Sequence, residues 1–153
     1  MDNVIAVLLG TVVGSLATFG AAIAGPAIAA RTTFRHQHRR EIREEMARVL
    51  HSFMTLLESR RVGGENQAAA HADAVTAVTR LSVLLGPSEL DVASALDYAL
   101  GLVSNQKAAA GVAAIESLRA VLHAWYRGEV KGSGIGDLYS VELEKALGRA
   151  PTI

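Results

Sequence analysis

Cysteine is absent from the 153-residue sequence, so disulfide bonds and thiolate metal sites are excluded. No glutamate has a histidine three residues after it, although this spacing is the one that di-metal sites in helical bundles use. No stretch alternates apolar and polar residues as a β-strand does. Together these absences predict an all-α, non-enzymatic protein with no metal, no cofactor and no catalytic residues.

Charged residues are also absent from residues 4–30, which read VIAVLLGTVVGSLATFGAAIAGPAIAA. A helix of this length is about 40 Å long, against about 30 Å of bilayer hydrocarbon. We therefore predict a single transmembrane anchor over residues 1–30. A cleaved signal peptide is the competing interpretation, because Ala27-Ile28-Ala29 resembles a cleavage site. The acidic start of the chain and the length of the apolar run favour the anchor.

A basic block follows the anchor, and it predicts the orientation. Between Arg31 and Arg61 there are eight arginines against four glutamates, whereas Glu65 to Asp97 holds five acids and one arginine. Basic residues beside a membrane span are retained on the cytoplasmic side. We expect an inner-membrane protein with its N-terminus outside and residues 31–153 in the cytoplasm. Residues 31–41 form a polar stalk, and anionic lipid headgroups would contact Arg31, Arg35, Arg39, Arg40 and Arg43.

The predicted span has two different faces. Small or weakly polar residues recur at helical spacing on one side, and larger apolar residues such as Leu9, Leu16 and Phe19 cover the other. Small residues let two helix backbones approach closely in a membrane. We predict that the span packs against a second copy or another membrane helix through Gly10, Gly14, Ser15, Thr18, Ala21, Ala22 and Gly25.

Four apolar stripes with helical spacing predict a bundle over residues 42–127. The segments are 42–61, 67–85, 88–103 and 106–127, and the short connections between them favour an antiparallel up-down-up-down arrangement. The residues expected to face inward are Ile42, Met46, Val49, Phe53 and Leu56; His71, Ala74, Val78, Leu81 and Leu85, with Val75 beside them; Val92, Leu96, Ala99 and Val103; and Gly111, Ile115, Leu118, Leu122 and Trp125. Ala70, Ala74 and Ala77 in the second segment, and Ala108, Gly111 and Ala114 in the fourth, predict shallow packing that buries little apolar area.

Residues 128–153 differ in composition from the bundle. Glu129 to Gly136 is rich in glycine, which predicts a flexible linker. Asp137 then begins a short helix with Tyr139, Leu143, Ala146 and Leu147 on one face. A helix of this length is marginal by itself. It either docks on the bundle or binds elsewhere, and the sequence leaves both alternatives open.

These features favour a membrane-tethered interaction protein or scaffold that associates through its span. The alternative is an oligomeric membrane-permeabilising or channel-like protein of the holin or defence-effector type, with Thr11, Ser15 and Thr18 lining a narrow pore. The expected partners are the lipid bilayer, a second copy or another membrane helix, and a cytoplasmic protein. Nucleic acid is an unfavoured partner, since the membrane flank explains the arginines better. The histidines, including His51 and His123 beside their stripes, are expected to be ordinary boundary residues.

Overall fold

A computed structural model describes residues 33–63 and 66–149 of the chain. Within these ranges the protein is all-helical, as predicted, with five α-helices and two short 3₁₀ turns, Pro87–Glu89 and Gly132–Gly134. The α-helices are α1 (33–62), α2 (Asn66–Leu84), α3 (Leu90–Asn105), α4 (Ala108–Arg127) and α5 (Ile135–Arg149).

The chain divides into two compact units, Met1–Arg40 and Glu41–Ile153. The described part of the first unit is residues 33–40, which are exposed apart from the half-buried His38. None of the helices that the structure describes is long and apolar enough to cross a membrane. The predicted anchor at residues 4–30 lies outside the described residues, and it stays a prediction.

Contacts near the helix ends establish the direction of the bundle helices. Arg60, near the end of α1, donates hydrogen bonds to the carbonyl oxygens of Val103 and Gln106 at the end of α3. His71, near the start of α2, has its Nδ1 atom 3.3 Å from the Ser104 hydroxyl, which also belongs to the end of α3. Helices α1 and α3 therefore end at the same pole, where α2 begins, as an up-down-up-down bundle requires.

The core follows most of the predicted stripes. Every inward residue predicted for the first, third and fourth segments is buried. In α2 the prediction is wrong for His71, which is exposed. Leu85 is half-buried just after the end of the helix, and Val75, beside the predicted stripe, is 41% exposed. The buried side of α2 consists of Ala70, Ala74, Ala77, Val78 and Leu81. Because alanine recurs all around this helix, the apolar pattern gives little contrast between its faces, and the neighbouring helices decide which face is covered.

Glycine ends two of the helices in the left-handed conformation. Gly63 has φ 70° after α1, and Gly128 has φ 78° after α4. At the second site the amide of Gly128 donates to Trp125 O at 2.8 Å and that of Glu129 donates to Ala124 O at 2.9 Å. This pair of hydrogen bonds is the Schellman motif, which satisfies the last carbonyls of a helix.

A glutamate side chain caps the connection between α2 and α3. Residues Pro87–Glu89 form a 3₁₀ turn, and α3 begins only at Leu90. The Glu89 carboxylate accepts a hydrogen bond of 2.9 Å from the Gly86 amide. The glutamate side chain therefore caps this turn, because it is long enough to reach back three residues.

The glycine-rich segment before α5 is a packed turn, so the prediction of a flexible linker is wrong. A Cβ atom added to Gly132 would lie 2.7 Å from Ser88 O and 3.1 Å from Glu89 Cα. This glycine is therefore needed for a close approach of two backbones. Glycine content alone does not distinguish such a contact from a mobile linker.

Helix α5 docks on the bundle, which settles the alternative that the sequence leaves open. It packs against α3 and α4 and buries Ile135, Tyr139 and Leu143. Ala146 is partly buried, whereas Leu147 is 43% exposed and lies outside the contact. At 15 residues, α5 gains its stability from this apolar packing rather than from helix propensity.

Candidate interaction surfaces

Some of the residues predicted to contact the membrane or another membrane helix are among the described residues, and others are not. Gly10, Gly14, Ser15, Thr18, Ala21, Ala22, Gly25 and Arg31 lie outside the described residues. Arg35, Arg39, Arg40 and Arg43 lie on α1 and are exposed. Headgroup contact by these four arginines stays a prediction.

The Phe34 ring stacks on the neighbouring His38 ring, with the centroids 6.4 Å apart and the planes 4° from parallel. Phe34 is nevertheless 71% exposed. This stack on the stalk therefore leaves a large apolar ring in contact with solvent beside the arginines.

Metal-ligand clusters are not found among residues 33–63 and 66–149, where no three acidic or histidine side chains converge. The buried polar side chains in this part of the chain are Ser52 and Ser117. The Ser52 hydroxyl donates to Val49 O at 2.9 Å, and the Ser117 hydroxyl has no hydrogen-bond partner. The buried Ser117 hydroxyl therefore lacks the hydrogen-bonded base that a serine nucleophile needs.

Tyr139 on α5 is buried. Burial of its phenol raises the pKa above the ordinary tyrosine value, and the Tyr98 phenol adds to the effect. The two rings meet edge to face with their centroids 6.1 Å apart. The Tyr139 hydroxyl donates to Ala114 O at 3.4 Å. This arrangement joins α5 to α3 and α4, and its role is structural.

A long groove separates α1 from α2. It consists of two depressions of about 540 Å³ and 340 Å³ that share Thr55, Ala70 and Asp73. Arg48 and Arg80 line one end, and Glu58 lines the other. Short side chains form most of its floor, because α1 presents serine and threonine here and α2 presents alanine. The groove is open because these residues are small.

A second depression lies between α1 and α4 and has a different character. Its volume is about 350 Å³, and its centre is apolar, with Leu50, Met54, Val112 and Ile115 in the lining. Met54 is 56% exposed and Val112 is 45% exposed. His51, Glu116 and Arg119 complete the lining. We call this depression, defined by these seven residues, the α1–α4 groove.

Sequence reasoning did not identify the α1–α4 groove. The signal that could have found it is the pair Met54 and Val112, which are large apolar residues just outside the predicted inward stripes. Likewise, nothing in the spacing of Arg60 indicates that it binds the end of α3, since its partners are more than forty residues away in sequence.

Comparison of the chain with models of protein families, with curated proteins and with solved structures found no match.

Proposed function

We propose that this protein is a non-enzymatic single-pass membrane protein whose span associates with another helix and whose helical bundle acts as an interaction or scaffold module. The observation that carries this proposal is the sequence of residues 4–43. An uncharged run long enough to cross a bilayer is followed by a dense arginine block. The proposed location is the inner membrane, with the bundle in the cytoplasm.

The bundle supports the scaffold part of the proposal by its construction. The described helices bury a continuous set of apolar side chains, and α5 closes a side that would otherwise be open. Two surface grooves flank α1, which is the helix that continues from the arginine-rich stalk. Grooves between helices are places where a partner protein can bury apolar surface.

The span's role is tested by disrupting its small face in the membrane. Gly14→Leu and Thr18→Leu place bulky side chains where a second helix would pack, and Val12→Leu on the opposite face is the matched control. In a bacterial two-hybrid or crosslinking assay, we expect both small-face variants to reduce association at least about fivefold, which corresponds to about 1 kcal/mol. Unchanged association in both variants would contradict the span as the interface.

Orientation and location are tested with single cysteines, which the cysteine-free chain makes unambiguous. An impermeant maleimide should label Asn3→Cys in intact cells, whereas Asn105→Cys should react only after the membrane is opened. The reverse pattern would contradict the proposed orientation. Loss of membrane potential on expression of the unmodified protein would favour the permeabilising alternative instead.

A further inference from the structure

We propose that the α1–α4 groove is a second homo-oligomeric interface, through which the bundles of two copies pack about a two-fold axis. This inference rests on the proposed function in one respect, because a shared membrane would concentrate the copies. Its structural basis is independent of the span, and it consists of an exposed apolar centre and a self-complementary pair of charges.

The apolar centre is the first part of the argument. Met54 and Val112 come from different helices, line the same depression and are each about half exposed. Beneath them, Leu50 and Ile115 join the surface to the core. A contact that covers Met54 and Val112 removes apolar area from water without rearranging the helices, at about 25 cal/mol for each Å².

The charges at the edge of the groove identify the occupant as a second copy. Glu116 and Arg119 are three residues apart on α4 and both are exposed. At this spacing they can pair within a helix, but the ion pairs of the described residues do not include one between them. A two-fold axis running along α4 would bring Glu116 of each copy beside Arg119 of the other. The same surface is then its own complement, as an isologous contact requires.

The direction of the two-fold axis is compatible with attachment of both copies to one membrane. An axis parallel to the bundle helices keeps the Ile42 ends of both copies on the same side. In that arrangement the two α4 helices run parallel. Glu116 of one copy and Arg119 of the other are then offset by about 4.5 Å along the axis. Both side chains are long enough to cover this offset. Two copies in one membrane would then need only a weak interface, because their effective concentration is high.

The first test is disulfide crosslinking of full-length single-cysteine variants in membranes. Val112→Cys is compared with Val75→Cys, which is the same substitution at nearly the same exposure, 45% against 41%, on α2. We expect the crosslinked dimer at position 112 to exceed that at position 75 at least about fivefold, a difference of about 1 kcal/mol in association. Equal crosslinking at the two positions would overturn the proposal.

Charge reversal within the Val112→Cys background supplies the second test. Glu116→Arg or Arg119→Glu alone creates like-charge contacts on both sides of the axis, and we expect crosslinking to fall roughly tenfold. The double variant restores opposite charges and should recover the original yield. Failure of the double variant to recover, with Trp125 fluorescence showing a folded bundle, would contradict a self-complementary contact.

Crosslinking at Thr18→Cys reports on the span separately. If the Gly14→Leu variant loses the Thr18→Cys dimer but keeps the Val112→Cys dimer, the bundles associate independently of the span. If the Thr18→Cys dimer persists and the Val112→Cys dimer is absent, the span interface stands and the inference drawn here fails.

Discussion

Helices α2 and α4 occupy equivalent places in the bundle, each between α1 and α3, yet they differ greatly in what they bury. Three of the five buried residues of α2 are alanines, whereas α4 buries Ile115, Leu118, Val121, Leu122 and Trp125 among its nine buried positions. Helix α5 also packs on α4, and among the described residues it makes no comparable contact with α2. The difference indicates that α4 organises the core and that α2 is held by less apolar contact.

This difference also explains where the surface grooves lie. Small side chains along α2 leave an open groove beside α1, and hydroxyl, alanine and charged side chains line it together. Along α4 the side chains are larger, and they leave a smaller depression with an apolar centre. Burial of apolar area gives most of the free energy of association. The half-exposed side chains of Met54 and Val112 make the α4 side a candidate for a protein interface.

The largest expected effect comes from truncating matched leucines in the two helices. Leu118 in α4 and Leu81 in α2 are both fully buried. We expect Leu118→Ala to lower the free energy of unfolding by about 4–5 kcal/mol and Leu81→Ala by about 2–3 kcal/mol, because the alanine-rich surroundings of α2 can relax into the cavity. Chemical denaturation followed by the fluorescence of Trp125, the single tryptophan, measures both. Equal losses would remove the distinction between the helices.

A smaller effect is expected at Gly132, where the turn before α5 touches the start of α3. Gly132→Ala places a Cβ atom against backbone atoms that cannot rotate away. We expect it to destabilise the bundle by about 1–3 kcal/mol. Gly101→Ala is the control, because a Cβ atom at that mid-helix position meets nothing within 4 Å and should stabilise α3 by about 0.5–1 kcal/mol. If Gly132→Ala is neutral, the cover of α4 by α5 does not depend on this close approach.

Substitution of Arg60 tests whether its hydrogen bonds from α1 to the end of α3 stabilise the bundle, in which α2 contributes little apolar contact. Its guanidinium donates to two carbonyls at the end of α3, and charged donors give stronger hydrogen bonds than neutral ones. We expect Arg60→Ala to cost about 1–2 kcal/mol after allowance for its partial exposure. Arg61→Ala removes only an exposed pair with Glu58 and should cost less than about 0.5 kcal/mol. Similar losses of stability in both variants would show that the Arg60 hydrogen bonds contribute no more than an exposed ion pair.

The smallest expected effect is the pH dependence of stability that Tyr139 causes at the contact between α5 and α4. Because its pKa is raised in the folded protein, folding favours the neutral phenol. This contribution to the free energy of unfolding is fully present below the pKa of tyrosine in the unfolded chain, about 10. It is lost as the pH rises through the pKa of Tyr139 in the folded protein. We expect stability to fall above about pH 10 in the unmodified protein and to fall less in Tyr139→Phe, with Tyr126→Phe as the control. Denaturation monitored by helical circular dichroism at pH 8 and 11 measures the difference.

Much of the helical architecture was predictable from local patterns. The apolar spacing of Ile42, Met46, Val49 and Phe53 identifies one face of α1, since four of the five residues between Ile42 and Val49 that lie off this face are charged. The same reasoning succeeds for α3 and α4. It fails for α2, because alanine is compatible with both a buried and an exposed position. It also fails for Gly132, because glycine is common in mobile linkers and in close backbone contacts alike.

The candidate surface was less predictable than the fold. Met54 and Val112 are separated by more than fifty residues, and only the packing of α1 on α4 brings them to one depression. The charges of Glu116 and Arg119 are visible in the sequence, but their exposure beside an apolar centre is not. Such surfaces depend on which helices become neighbours, and sequence spacing carries no information about that choice.

By itself, the sequence determined the helical class and the positions of most helices. These features are local, since they depend on periodicity and backbone preference over a few residues. Only the tertiary structure decided that α5 docks, that α2 turns His71 to the surface, and that Arg60 binds the end of α3. These outcomes depend on contacts between distant parts of the chain, where the free energy comes from the area that neighbouring helices bury together.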